Sequence, residues 1–237
     1  MYSRIKIREL RPINLEGGYL IDGFPSTGFT SAIATESMIQ ISQFKVAGII
    51  DSDSFPPISV IKEGKPNYPT RIFVNDDHKV SIFLSYITID ESLHRVVAKT
   101  MLSWAKKHKI KLIVSSVAVK SMLGIEGMMA VGNTESARKK INESGLKMLQ
   151  HGTIPGIPGM LLNEGSITNQ DVIVILFQSD GTGPDFRSSA QLCNGISQLI
   201  PGTSCDIPLL QKEAEKAEQS IKETDEETRQ IKDSIYR

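Results

Sequence analysis

The stretch Gly17–Ile41, GGYLIDGFPSTGFTSAIATESMIQI, decides the fold class. Tyr19 to Asp22 is a short uncharged run closed by aspartate, the pattern of a buried strand. GFPSTGF (Gly23–Phe29) supplies the glycine and proline of a tight turn. The residues after it place Ala32, Met38 and Ile39 at helical spacing. Strand, glycine-rich loop and helix in that order are the opening unit of a layered α/β protein.

The pattern recurs along the chain. Val46–Ile50, Val80–Leu84, Leu112–Val119 and Val172–Phe177 are short and rich in β-branched residues, as strands covered on both faces require. Between them lie helical stretches with recognisable ends. Ser92–His108 opens on a serine suited to N-capping, and Thr134–Ser144 starts at a threonine and stops at Gly145. A last helix runs to Ile200, with Asp185 or Ser179 as its cap, and PGTSCDIP ends it. Residues 53–70 hold four prolines and read as an irregular excursion or edge hairpin. The expectation is a mainly parallel sheet flanked by helices over residues 1–207.

From Leu209 onward the composition changes to 29 residues without glycine or proline, rich in Glu, Lys and Gln, which predicts a long helical arm over residues 208–237. Leu210, Ala214, Ala217, Ile221, Thr224, Thr228, Ile231 and Ile235 form one seam with alternating spacings of 4 and 3. Two alanines narrow that seam and two threonines interrupt it. A mobile arm, or a helix docked only at its base, is therefore expected in preference to a tight autonomous coiled coil. The chain finishes on Ile235, Tyr236 and Arg237, an apolar residue and a tyrosine where nothing downstream covers them.

Composition narrows the function. Lys plus Arg and Asp plus Glu each total 27, so no net field draws the protein to nucleic acid or to an anionic membrane. The N-terminal residues lack a signal-peptide core, and no apolar run is long enough to span a bilayer. Cys193 and Cys205 form no CxxC and have no histidine cluster beside them, so they read as reduced thiols of a cytoplasmic protein. His78, His94, His108 and His151 lie in separate segments, and no metal site is expected.

Three stretches are candidate sites. Gly23, Ser26, Thr27 and Gly28 form a loop whose backbone N–H groups could face an anion, although the loop carries neither the Walker lysine nor the dinucleotide fingerprint. Its glycines are read first as turn formers. Asp22, Asp51 and Asp180, near predicted strand ends, are the residues a hydrolase or phosphorylase using that loop would need for acid and base work. Ser115 and Ser116 read as the end of a buried strand, since no GxSxG elbow is present. The second stretch is GTIPGIPGMLLNEG (Gly152–Gly165), whose two Pro-Gly pairs read as consecutive rigid turns presenting Ile157, Met160 and Leu161 for a subunit contact. The third is the tip.

The GFPSTGF loop after the first strand, the PGIPGMLL segment, the α/β alternation and the charged terminal helix together resemble the PAC2 family of proteasome assembly chaperones, in particular its archaeal members. That resemblance covers nearly the whole chain. It implies a nucleoside-phosphorylase-like α/β fold, no enzymatic activity, no cofactor, and a homo-oligomer, with a pentamer favoured, that engages 20S proteasome α subunits. The ending Ile235-Tyr236-Arg237 is similar to the hydrophobic–tyrosine–any (HbYX) tail of proteasome activators. By that likeness the terminal carboxylate would meet a pocket lysine between α subunits, and the tyrosine would shift the turn that holds the gate closed.

Overall fold

Every residue of Tyr19–Gly23 (β2) is buried, because this strand lies in the middle of a nine-stranded sheet. The computed structural model describes residues 5–119, 127–179 and 183–214. The strands are Lys6–Glu9 (β1), β2, Lys45–Asp51 (β3), Val60–Lys62 (β4), Lys65–Asn67 (β5), Thr70–Asn75 (β6), Val80–Ser85 (β7), Leu112–Val119 (β8), Met129–Gly132 (β9), Lys147–Met148 (β10) and Asp171–Gln178 (β11). The helices are Thr30–Ile41 (α1), His94–Lys107 (α2), Glu135–Ser144 (α3), Gly156–Thr168 (α4) and Phe186–Leu199 (α5). The main sheet has the order β1-β3-β6-β7-β2-β8-β11-β9-β10.

Parallel pairing joins the central strands β7, β2, β8 and β11, and it recurs in the short β9–β10 pair. Toward one margin β7, β6, β3 and β1 pair antiparallel, and β11 meets β9 antiparallel on the other side. The result is an α/β protein with a mixed sheet whose parallel strands occupy the centre. The five apolar runs of the sequence became β2, β3, β7, β8 and β11. The proline-rich excursion contains a separate hairpin, β4–β5.

Period-2 alternation sends side chains of the central strands to two cores. Leu20, Phe83, Ile113 and Val174 pack with Val97, Met101 and Trp104 of α2 and with Ile157 and Leu161 of α4. Ile21, Ile82, Val114 and Ile175 pack with Ala34 and Met38 of α1, Ala137 and Ile141 of α3, and Leu192 and Ile196 of α5. Thus α2 and α4 cover one face, while α1, α3 and α5 cover the other.

Helix ends follow their local chemistry. Thr134 Oγ1 accepts the Ala137 N–H at 3.0 Å, and Gly145 takes the left-handed conformation that closes α3. Asp185 caps α5, accepting the Ser188 N–H at 2.8 Å. At α2 the cap is Asp90 and not Ser92: Asp90 Oδ1 accepts the Ser92 N–H at 2.9 Å and starts a 3-10 turn ahead of the helix.

Two expectations need correction. The Pro-Gly segment is not a pair of turns: Gly156–Thr168 is α4, with Pro155 at its N-cap and Pro158 in its first turn, where a missing N–H removes no helical bond. Gly159 is required there because a Cβ would collide with the Ile154 carbonyl. The cysteines are not free thiols either. Cys193 and Cys205 form a disulfide with Cα atoms 6.2 Å apart. The turn at Gly202, with φ of 79°, brings the chain back along α5 and sets Cys205 beside Cys193. Cysteine usage therefore no longer speaks for a reducing compartment. Among the described residues no helix is long and apolar enough to cross a membrane.

Gly23 fixes the approach of α1 to the central strands. A Cβ there would lie 2.6 Å from Thr35 Oγ1 and 2.9 Å from the Phe83 carbonyl oxygen. Gly23→Ala is expected to lower stability by about 1–3 kcal/mol, seen as an earlier midpoint in urea unfolding with an unchanged slope. A midpoint equal to that of the parent would show that this contact does not constrain the fold.

Candidate functional site

The carboxyl ends of the central parallel strands open into a crevice of about 780 Å³, the place where open α/β sheets bind ligands. One wall is the loop after β2, Asp22 to Thr27, and the floor is Ser116 to Ala118 of β8. The other walls are Glu91–Val96 at the start of α2 and Pro155–Pro158 with Met160 at the start of α4. Helix starts from the α2 and α4 side thus face a loop that leads into α1 on the other side.

Asp22 is the buried charged group of this crevice, 5 % exposed. The register that sets Ile21 against Val114 brings Asp22 beside Ser115. Asp22 Oδ2 accepts the Ser115 hydroxyl at 2.6 Å, and Oδ1 accepts the Phe24 N–H at 3.1 Å. Burial pushes its carboxyl up to about 6; the Ser115 and Phe24 hydrogen bonds and the nearby His94 oppose that shift. A second polar line runs beside it, from Ser26 Oγ to Ser31 Oγ and on to Ser116 Oγ, each step 2.8 Å. His94 is half-buried, with Nε2 3.1 Å from the Ile89 carbonyl.

The GFPSTGF loop is tied into the fold along its length. Phe29 N–H donates to the Ser26 carbonyl at 2.9 Å, and the Thr30 hydroxyl donates to the Thr27 carbonyl at 3.0 Å. Gly28 adopts φ of 69°, and a Cβ on it would lie 2.9 Å from Ser179 Oγ. Its carbonyl accepts the Asp185 N–H at 2.9 Å, joining this loop to the one after β11. Gly23 and Gly28 therefore each have a structural reason. Ser26 and Thr27 line the crevice; Gly28 and the exposed Phe29 are not among its lining residues.

Of the three aspartates singled out in the sequence, the crevice takes Asp22. Asp51, exposed at the end of β3, accepts the Ser52 N–H at 2.9 Å and is not in the crevice lining. Asp180 lies outside the described residues. Ile157 and Met160 line the crevice wall, whereas Leu161 is fully buried in the core beneath α4. Ser116, His94, Arg95 and Glu91 are crevice residues that sequence reading did not assign to a site. The usable signal was the hydroxyl pair Ser115–Ser116 inside an otherwise apolar strand, level with Asp22 once the two strands are aligned in parallel. Among the described residues no group of three or more His, Cys, Asp or Glu side chains is arranged to hold a metal.

The C-terminal helix is described over residues 207–214. Asp206 Oδ1 accepts the Leu209 N–H at 2.9 Å as its cap, and Asp206 N–H donates to Ser37 Oγ of α1 at 3.2 Å. Leu210 and Ala214, the first two seam positions, are buried. Together with the Cys193–Cys205 disulfide these contacts root the helix on the α1–α5 side. The rest of the seam and Ile235, Tyr236 and Arg237 lie outside the described residues.

A mixed α/β sheet with helices on both faces, a crevice at its central strand ends and a C-terminal helix rooted on its α1–α5 side define the class of this protein. The PAC2 family model matches residues 20–225, and the chain belongs to the PAC2 family. The crystal structure of Pyrococcus furiosus PbaA, an archaeal homolog of proteasome-assembly chaperone, is similar over 98 % of this chain and 96 % of its own, with 25 % identity and a TM-score of 0.83. Pyrococcus furiosus PbaB, an archaeal proteasome activator, shares the fold with a TM-score of 0.76 at 17 % identity, over 94 % of this chain and 99 % of its own. The uncharacterised protein MJ0106 of Methanocaldococcus jannaschii is 27 % identical over 228 residues, 96 % of this chain and 93 % of its own.

Asp22 makes stability depend on pH in a definite direction. In the unfolded chain its carboxyl loses its proton near pH 4, in the fold near 6. Between those values the native state holds the extra proton, so the cost of the buried charge is absent below about pH 4 and complete above about pH 6. Asp22→Asn, which can still accept from Phe24 and donate to Ser115, is expected to gain on the parent by roughly 2–3 kcal/mol as pH rises through that window. Urea unfolding at pH 4 and pH 7.5 measures the difference, and an offset independent of pH would refute a buried, titrating Asp22.

Proposed function

We propose that the protein is a cytoplasmic proteasome assembly chaperone or ATP-independent activator that binds the outer α ring of the 20S proteasome. The observation that carries this reading is the likeness to PbaA over nearly the entire chain, in both sequence and fold. On this reading the binding element is the C-terminal tail Ile235-Tyr236-Arg237, presented by several copies of a homo-oligomer, with a pentamer favoured. Arginine in the last place is compatible with the role, since the α-carboxylate and not the side chain makes the ion pair with a pocket lysine. No nucleotide or metal takes part. Support comes from the rooted base of the C-terminal helix, which is capped by Asp206 and docked at Leu210 and Ala214 and would give an arm beyond it a defined starting point. At about 1.5 Å per residue the 29 residues from Leu209 would extend roughly 40 Å if helical throughout.

The deciding experiment is capture of purified 20S particles by the full-length protein and by a variant ending at Ser234. Loss of capture in the truncated protein, with fold and oligomer mass unchanged by circular dichroism and light scattering, is the expected result; undiminished capture would refute tail docking. In a second measurement, Tyr236→Ala is expected to leave part of the binding but to slow fluorogenic peptide cleavage by the particle at least several-fold relative to the parent. Equal cleavage rates at saturating parent and variant would remove the tyrosine from gate opening.

A further inference from the structure

The crevice at the strand ends is a site that tail docking makes no use of. Its charged lining, among the described residues, consists of Asp22 and Glu91 against Arg95 and the half-buried His94. Arg95 is already engaged: its Nη1 donates to Glu164 Oε1 at 2.7 Å, outside the crevice lining. The contributions of the β2 loop, β8 and α4 to the lining are uncharged apart from Asp22. Asp22 is 95 % buried in effect, at 5 % exposure, and its described partners are a hydroxyl and a backbone N–H, one on each oxygen. A carboxylate offers about four acceptor positions, so among the described residues each oxygen keeps a lone pair without a partner. Among the described residues no cation is hydrogen-bonded to this buried carboxylate, an unfavourable arrangement, and a ligand that brings such a charge gains from that deficit. Around this point the walls are apolar: Phe24, Val117, Ile157, Pro158 and Met160. A cavity of about 780 Å³ lies in the range that holds small molecules.

We propose that this crevice binds a small organic ammonium ion, an amine carried on an apolar body, with the ammonium against Asp22 and the body between Phe24, Ile157 and Met160. The charge balance reverses the anion-binding expectation raised by the Gly23–Gly28 loop. The ammonium N–H groups take the free lone pairs of Asp22 and reach the Ser116 hydroxyl, while the apolar walls exclude water from the contact and strengthen it.

Titration of the purified full-length protein by calorimetry and by amide chemical-shift mapping tests this with four probes: 2-phenylethylamine, spermidine, the neutral isostere 2-phenylethanol, and inorganic phosphate. Saturable binding of 2-phenylethylamine at least roughly tenfold tighter than 2-phenylethanol is expected for a charge-assisted contact, with shifts mapping to Asp22, Ser116 and Met160. Tighter binding of spermidine than of 2-phenylethylamine would support the site and identify linear polyamines as its natural chemistry; the reverse order would point to aryl amines. Asp22→Asn should erase the preference for amine over alcohol, and Met160→Arg, at the half-buried wall, should abolish amine binding with the fold retained. Affinity should fall roughly tenfold between pH 7.5 and pH 5 as Asp22 takes up its proton. His94→Gln should keep that fall, because the charge that is lost is that of Asp22. Equal affinity for amine and alcohol, saturable phosphate binding at the same residues, or no saturation by either amine would overturn the proposal.

Discussion

Where β2 ends, the chain is packed too closely for a side chain. Gly23 leaves no room for a side chain between Thr35 of α1 and the backbone of β7, so the chain must leave the sheet at that point and turn onto one face. The next parallel connection, β7 to β8, travels through α2 on the opposite face and crosses over β2 in the strand order. Neighbouring strands whose onward connections part to opposite faces leave a gap at their carboxyl ends, which no helix can fill. The crevice is thus a consequence of topology, held open by backbone packing. A side chain larger than hydrogen at position 23 would push α1 away from the sheet and alter both the core and the crevice wall.

The same topology explains what could be read without coordinates. Strands with neighbours on both sides are buried along most of their length, so β2, β3, β7, β8 and β11 appear as nearly unbroken apolar runs and can be located within a residue or so. Marginal strands bury one face or are short, and their signal is correspondingly weak. In β1, Lys6, Ile7, Arg8 and Glu9 alternate between exposed and half-buried, and β10 has two residues. Thr134 and Gly145 were legible as the ends of α3 because caps act through their own side chain and backbone. Pro155 and Pro158 misled for the same local reason: proline signals a turn unless it falls in the first turn of a helix, and the burial of Ile157 and Leu161 against the sheet decides for the helix.

The candidate site was legible only in part, because it is assembled across strands. The loop Gly23–Gly28 announces itself by composition. The pairing of Asp22 with Ser115 needs the parallel register of β2 on β8, and the approach of His94 and Met160 needs the packing of α2 on α4. Neither is contained in a local window. The Cys193–Cys205 bond was hidden similarly: a separation of 12 residues says nothing until Gly202 turns the chain back. Its place next to the base of the C-terminal helix gives it a role that spacing alone could not suggest, since it fastens Cys205, one residue before the Asp206 cap, to α5.

That fastening bears on how a tail could work. Burying one isoleucine side chain is worth about 1.5–3 kcal/mol, and a charge-assisted contact from the terminal carboxylate adds roughly 1.5–3 more, against the cost of ordering the segment. A single tail is therefore a weak ligand, and several tails on one oligomer are needed before the second and later insertions become effectively intramolecular. Effective concentration depends on where each arm starts and how far it reaches. A root held by the disulfide, the Asp206–Ser37 bond and the burial of Leu210 and Ala214 fixes the starting point to within the rigidity of α1 and α5. The weakness of the seam beyond Ala217, with Thr224 and Thr228 in place of large apolar residues, favours arms that do not zip together. On the proposed reading, fixed roots and arms that stay apart would suit an oligomer whose symmetry does not match that of the ring it engages: the body would set the spacing of the roots, and the arms would take up the mismatch.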